Sequence, residues 1–326
     1  MRMPPQQSRL ADGRLHLHDG PIDLIIDAWG EASAVETAYA AACRRFATIL
    51  DELCTELSLL RSQATPTSAR PSGVVSRRMA DAVTPLCVAR FITPMAAVAG
   101  AVAEEILRAM TTAAPLWRAY VNNGGDIALH LLADESFTIG MVDRPDRPSL
   151  IGRSAISGRD AIRGVATSGW RGRSFSLGIA DAVTVLARSA AQADAAATLV
   201  ANAVDLPGHP AVRRAPASSR DPQSDLGERI VTIDVGPLAQ DEIDCALAAG
   251  LDEAERLRRD GALEAAALQL CGRTLLCGVG RAPRIGNLTA RDSGKAIRFG
   301  ELALGLHPVQ VGRRDAAEIG GLDGHR

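Results

Sequence analysis

An α+β fold, a mixed sheet with helices packed against it in a single domain, is predicted by three observations. The 326 residues are 47% hydrophobic, ample to bury a large core. Runs of period two, expected to be strands, are interspersed with longer runs of helical period. The two kinds do not alternate strictly, which favours α+β over a doubly wound sheet.

Residues 14–18 alternate as a strand, Asp19-Gly20-Pro21 signals a turn, and 22–29 alternate again, so the chain opens on a hairpin. Over 31–60, Tyr39, Cys43, Phe46, Leu50, Leu53, Leu57 and Leu60 recur at helical spacing and predict one long helix packed on the sheet, ended by a Ser/Thr/Pro-rich loop at 62–73. A second helix covers 75–84. A third opens at Thr93-Pro94 and runs to 110, its small residues permitting close approach to the sheet. Strands are expected at 116–121, 127–132, 137–142, 161–166 and 181–186, with 145–159 as a connecting loop. A helix at 190–203, a Pro-rich loop at 206–225, a strand at 229–235 and a helix at 238–259 follow, Asp241 and Glu242 suiting the positive end of the last. The domain is placed at 14–280, between an N-terminal segment 1–13 and a weakly structured segment 281–326.

The net charge of -2 argues against a general electrostatic binder of nucleic acid. Six cysteines include no C-x-x-C pair, and read as small buried hydrophobes in a reducing compartment. Residues 1–13 lack the apolar core of a secretion signal and no stretch has the apolar length of a membrane span, so a cytoplasmic protein without a membrane partner is the expectation.

Chemistry-bearing patterns concentrate in two places. Asp194 and Thr198 lie at i and i+4, where a carboxylate and a hydroxyl on one helix face can converge on a hard cation such as Mg²⁺. Asn122-Asn123-Gly124-Gly125-Asp126 sits between two strands, and paired glycines let backbone N–H groups approach a phosphate or a flat ring. Each pattern has a structural alternative. Asp194 in the first turn of its helix would stabilise the helix end without metal, Gly124-Gly125 is equally a plain hairpin turn, and Arg163, Arg171 and Arg173 could form a solvated basic face. His16 and His18 share a strand face with no third ligand in view, and His209 reads as a loop residue.

The runs Thr93 to Gly100, Tyr120 to Asp126, Ala166-Thr167-Ser168-Gly169, and Ala182 to Val185 continuing to Thr198 resemble an uncharacterised protein family (UPF type) of the ApbE superfamily, over most of residues 15–270. The resemblance implies an ApbE-like fold. The superfamily's FAD:protein FMN transferases, similar only in three short motifs, are Mg²⁺-dependent and move the FMN half of FAD onto a protein threonine. By that resemblance, Asn123, Gly124, Gly125 and Asp126, and Thr167, Ser168 and Gly169, correspond to flavin-contacting turns, and Asp194 and Thr198 to the metal-binding helix. The chain departs from the transferases in two places. Their glycine-rich-helix lysine has no counterpart at 97–103, the chain's single lysine being Lys295, and their histidine segment is replaced by 174–180. Arg171 and Arg173 are expected to supply phosphate contacts instead, guanidinium forks matching phosphate oxygens.

No G-x-S-x-G elbow, P-loop or Cys–His pairing nominates a nucleophile. Three readings stay open: a Mg²⁺-dependent enzyme that cleaves or transfers a nucleotidyl or FMN group, with FAD or FMN as cofactor and a protein as acceptor; a cofactor-binding or assembly protein that kept the pocket; and a structural homo-oligomer subunit joined by alanine-rich helices.

Overall fold

The computed structural model describes residues 4–278 apart from 89, 145 and 147–149, so the expectation for 281–326 lies outside the described residues. In chain order the elements are β1 (Gln6–Arg9), β2 (Leu15–Asp19), β3 (Ile22–Trp29), α1 (Ala32–Thr55), α2 (Leu57–Leu60), α3 (Val74–Val83), α4 (Val98–Ala113), β4 (Arg118–Asn123), β5 (Asp126–Leu131), β6 (Ser136–Val142), β7 (Leu150–Ser157), β8 (Gly164–Ser168), β9 (Ala182–Ala187), α5 (Ala190–Ala203), β10 (Val212–Pro216), β11 (Ile230–Val235), α6 (Gln240–Arg259), β12 (Ala265–Leu270) and β13 (Arg273–Cys277). Strands and helices build one α+β domain around a nine-stranded sheet of order β1-β2-β3-β4-β5-β8-β9-β12-β13, with the two-stranded pairs β6-β7 and β10-β11 outside it.

Side chains alternate across each strand, and the two faces meet different partners. Leu24, Val121, Ala128, Ala166, Val183 and Leu268 point into the main core, shared with Phe46, Ile106 and Leu199 of the helices. Tyr120, Ile127, Leu129, Val165 and Leu186 point the other way, into a second cluster closed by Phe137, Ile139 and Ile156 of β6 and β7. The first long helix packs on the sheet as expected.

Several expectations are corrected. The helix over 31–60 breaks at Glu56, whose carboxylate accepts the backbone N–H groups of Ser72 and Gly73 at the start of α3. The predicted loop at 145–159 contains β7, and the Pro-rich loop at 206–225 contains β10; each pairs with a neighbour hairpin-fashion, a partner that a single run of sequence does not display. The strands β1, β12 and β13 were not predicted, and β1 pairs with β2 from within 1–13. The cysteines are all free, but only Cys87 and Cys277 are buried; Cys54, Cys245 and Cys271 are exposed.

Alanine and glycine let α4 and α5 cross closely. A Cβ on Gly100 would stand 2.3 Å from the Ala190 carbonyl oxygen, and one on Gly164 2.2 Å from Ser189, so the start of α5 is wedged between α4 and the sheet. The buried alanines of both helices are consumed in this packing, which removes the alanine-mediated oligomer as their purpose.

Candidate functional site

The β4–β5 turn, the end of β8, the start of α4 and the second turn of α5 come together at one end of the sheet. Gly124 and Gly125 take φ of +67° and +113°, the left-handed pair that a two-residue hairpin needs. Gly125 donates its N–H to Asn122 Oδ1 (2.8 Å), so this N–H is committed within the turn. Gly124 is covered by Arg173, whose guanidinium would collide with an added Cβ, whereas a Cβ on Gly125 meets nothing within 4 Å. The side chain of Asn123 donates to the Ala99 carbonyl (3.1 Å), fastening the turn to α4.

Beside this turn the sheet parts. β5 and β8 register only at Ile127↔Val165 and Ala128↔Gly164; beyond them the carboxylate of Asp126 replaces a backbone acceptor and takes the Thr167 N–H at 3.3 Å. Alternation puts Asn123, Asp126 and Ser168 on the helix-facing side and Asn122, Thr167, Thr184 and Gln269 on the other, where Thr167 and Thr184 join hydroxyls at 3.0 Å. Gly169 follows directly, and a Cβ there would stand 2.6 Å from the Asp181 carbonyl oxygen.

Asp194 is not in the first turn of its helix. α5 starts at Ala190 and is capped by Ser189, whose hydroxyl accepts from the Gln192 N–H. Asp194 reaches across to the start of α4, where its Oδ2 accepts the Gly100 N–H at 3.0 Å. Glu104 of α4 reciprocates, accepting the Ala191 N–H at 2.8 Å. The helix end that Asp194 meets is that of α4, not of its own helix. Thr198 stands one turn further along α5, partly buried.

Burial pushes the Asp194 carboxyl well above its ordinary value, and the neighbouring Asp126 charge adds to this; the N–H groups of Gly100 and Ala99 oppose it. Burial likewise raises Asp126, against the Thr167 N–H and the Arg173 charge. The two carboxylates thus feel one another's charge in a setting where both cannot easily stay ionised without a cation. Among the described residues no three His, Cys, Asp or Glu side chains converge as a metal set, so any cation here would also draw on hydroxyl or carbonyl oxygens.

The arginines do not form one face. Arg163 donates to the carbonyls of Gly158, Asp160 and Ile162. Arg171 is committed to Asp181 (2.6 Å) and stacks 4.2 Å over Trp170. Only Arg173 is exposed at the glycine turn. Replacing Arg171 by alanine is accordingly expected to lower stability by about 1.5–3 kcal/mol, the worth of a charged hydrogen bond. Arg173→Ala, at an exposed side chain, should leave the thermal midpoint unchanged. An equal loss of stability in the two variants would refute this difference. His16 pairs with Asp23 (2.7 Å) and His209 with Glu242 (2.8 Å).

Sequence reasoning missed the Asp126–Asp194 pairing, the reciprocal helix caps and the polar row on the outer face. Gln269 in the otherwise apolar run 265–270 was the one legible signal for that row.

Residues 7–276 match a family described as AbpE bacteria. A UPF0280 protein of Methanopyrus kandleri is 40% identical over 162 residues, 49% of this chain and 61% of that relative. One from Methanothrix thermoacetophila is 42% identical over 114 residues, 35% of this chain and 46% of that relative. The chain therefore spans under two thirds of the curated relatives it matches. The apo crystal structure of Pseudomonas stutzeri flavinyl transferase ApbE aligns over 84% of this chain and 95% of that one, at 12% identity and a TM-score of 0.39. No helix among the described residues is long and apolar enough to cross a membrane. With more than half its length matched, the chain belongs to the family described as AbpE bacteria.

Proposed function

We propose that this protein binds a flavin nucleotide or a related diphosphate-containing cofactor together with Mg²⁺ at the parted end of the sheet. One observation carries the reading: Asp194 binds the Gly100 N–H at the start of α4 and Asp126 the Thr167 N–H at the parted strands, both carboxyls are raised by burial, and the Asp126 charge raises Asp194 further. A hard divalent cation relieves that repulsion, and Asp194, Asp126 and the Thr198 hydroxyl are the oxygen donors that would hold it. Held there, Mg²⁺ would supply positive charge to offset that of a diphosphate ligand.

The chain's own residues supply the rest. Arg173, exposed over Gly124, offers a guanidinium to phosphate oxygens from the solvent side. The Asn123–Ala99 and Asp194–Gly100 hydrogen bonds lock the turn and α5 to the start of α4, so the carboxylates are positioned before any ligand arrives. The activity read from the family resemblance is transfer of an FMN or nucleotidyl group to a protein acceptor. A binding or assembly role is favoured by the commitment of Arg171 to Asp181.

Asp194→Asn keeps an oxygen for the Gly100 N–H and removes the charge. FAD affinity in titration calorimetry is expected to lose its Mg²⁺ dependence in this variant while the thermal midpoint moves little. Identical Mg²⁺ dependence in wild type and variant would sink the metal assignment. Turnover of FAD to FMN and AMP distinguishes the enzyme from the binding protein.

A further inference from the structure

The nine-stranded sheet ends on β1 and β13, and the two ends are finished differently. β1 is a short run of exposed polar side chains directly after Pro4-Pro5, with Arg9 bonded to the Gly13 carbonyl and to Glu36. Prolines and charges of this kind blunt an edge against pairing. In β13 the run Thr274-Leu275-Leu276 carries neither, Leu276 is 38% exposed, and among the described residues no strand pairs with its outer side. An edge of that composition is a template for another strand.

The β12–β13 turn fixes which backbone groups point outward. Cys271 and Gly272 take φ of +47° and +79°, the primed two-residue turn whose flanking residues, here Leu270 and Arg273, form a hydrogen-bonded pair. Along the register Leu275 and Cys277 then also bond to β12, and the N–H and C=O groups of Thr274 and Leu276 point away from it. α6 runs beside β13 in the same direction. Asp244 near its start pairs with Arg273 at 3.0 Å, and Glu255 near its end accepts from the Cys277 thiol at 3.2 Å. The exposed side of α6 begins acidic with Asp241 and Asp244, passes through Ala248 and Ala249, and ends basic with Arg258 and Arg259.

We propose that β13 is the seam of a two-fold dimer, pairing antiparallel with β13 of a second copy of this chain. With the axis at Leu275, Thr274 of one copy lies opposite Leu276 of the other, so their outward N–H and C=O groups are matched. The same axis sets the two α6 helices antiparallel and side by side. Asp241 at the start of one then comes beside Arg258 and Arg259 at the end of the other, and the small Ala248 and Ala249 stand at the middle, where the helices approach. A surface complementary to itself only after a two-fold rotation selects a second copy as the occupant. Exposed charge pairs add little affinity, but they fix the sense of pairing, since parallel helices would set acid beside acid and base beside base. The seam is independent of the flavin reading.

The test is sedimentation velocity on the full chain, with circular dichroism to check folding. Wild type should sediment as a dimer that weakens as salt rises, exposed charges being screened. Thr274→Pro replaces an outward N–H by a ring, a change that a sheet edge tolerates, and should sediment as a folded monomer. Asp241→Arg should weaken the dimer about tenfold, and adding Arg259→Asp should restore it, because the reversed charges meet again across the two-fold axis. A monomeric wild type overturns the proposal and leaves the edge to chain beyond Gly278 or to a different protein. A dimer that survives Thr274→Pro overturns it as well, placing the contact elsewhere. Should Thr274→Pro unfold, the charge variants decide alone: a double variant as weak as Asp241→Arg refutes the antiparallel helices and the axis with them.

Discussion

Gly100→Ala is expected to destabilise the fold by about 3 kcal/mol or more, the upper range for forcing atoms into a packed core. The added methyl would meet the Ala190 carbonyl at 2.3 Å and 2.4 Å and the Ala191 nitrogen at 2.7 Å, all backbone atoms that no rotamer change can move aside. Relief requires α4 and α5 to separate, which also breaks the Asp194–Gly100 and Glu104–Ala191 caps. The proposed flavin binding should therefore fall together with the urea midpoint. A variant of wild-type stability would show that the two helices are not locked by this contact.

Glu105→Ala should be of similar size, about 3–5 kcal/mol, the range for removing one partner of a buried ion pair. Glu105 has a side chain 1% exposed and holds three arginines, Arg45 (2.8 Å), Arg108 (2.8 Å) and Arg78 (3.3 Å), joining α1, α3 and α4. Burial alone would raise its carboxyl, but the hydrogen bonds and charges of Arg108 and Arg45 outweigh this and hold it at about 2. Because the folded value lies below the ordinary 4.5, the stabilisation is fully present above pH 4.5 and is lost as pH falls toward 2. It is worth about 3 kcal/mol at one unit per 1.36 kcal/mol. Urea midpoints between pH 3 and pH 6 should fall steeply on the acid side in wild type and less in Glu105→Gln. Parallel curves would contradict the assignment.

Some of the architecture was legible in the chain. The 3.6-residue recurrence over 31–60 placed α1, alternation placed β2 and β3, and the alanine-rich run 190–203 matched α5 to the residue. Such elements are readable because their patterns are periodic and local. The breaks were not. Glu56 interrupts a helical pattern because its carboxylate is needed at Ser72 and Gly73, contacts 16 and 17 residues away. β7 and β10 were hidden because a short strand is stabilised by its partner more than by its own residues.

For the site, spacing placed Asp194 and Thr198 on one helix face and the glycine pair in a turn between strands, since i,i+4 geometry and the φ > 0 demand of a tight hairpin are properties of a few adjacent residues. Two assignments needed the folded chain. Asp194 meets Gly100 across 94 residues and shares its surroundings with Asp126, and Arg171 turns to Asp181, leaving Arg173 at the turn. Hydrogen-bond reach, burial and the repulsion of two like charges depend on distances through space, and only tertiary packing sets them.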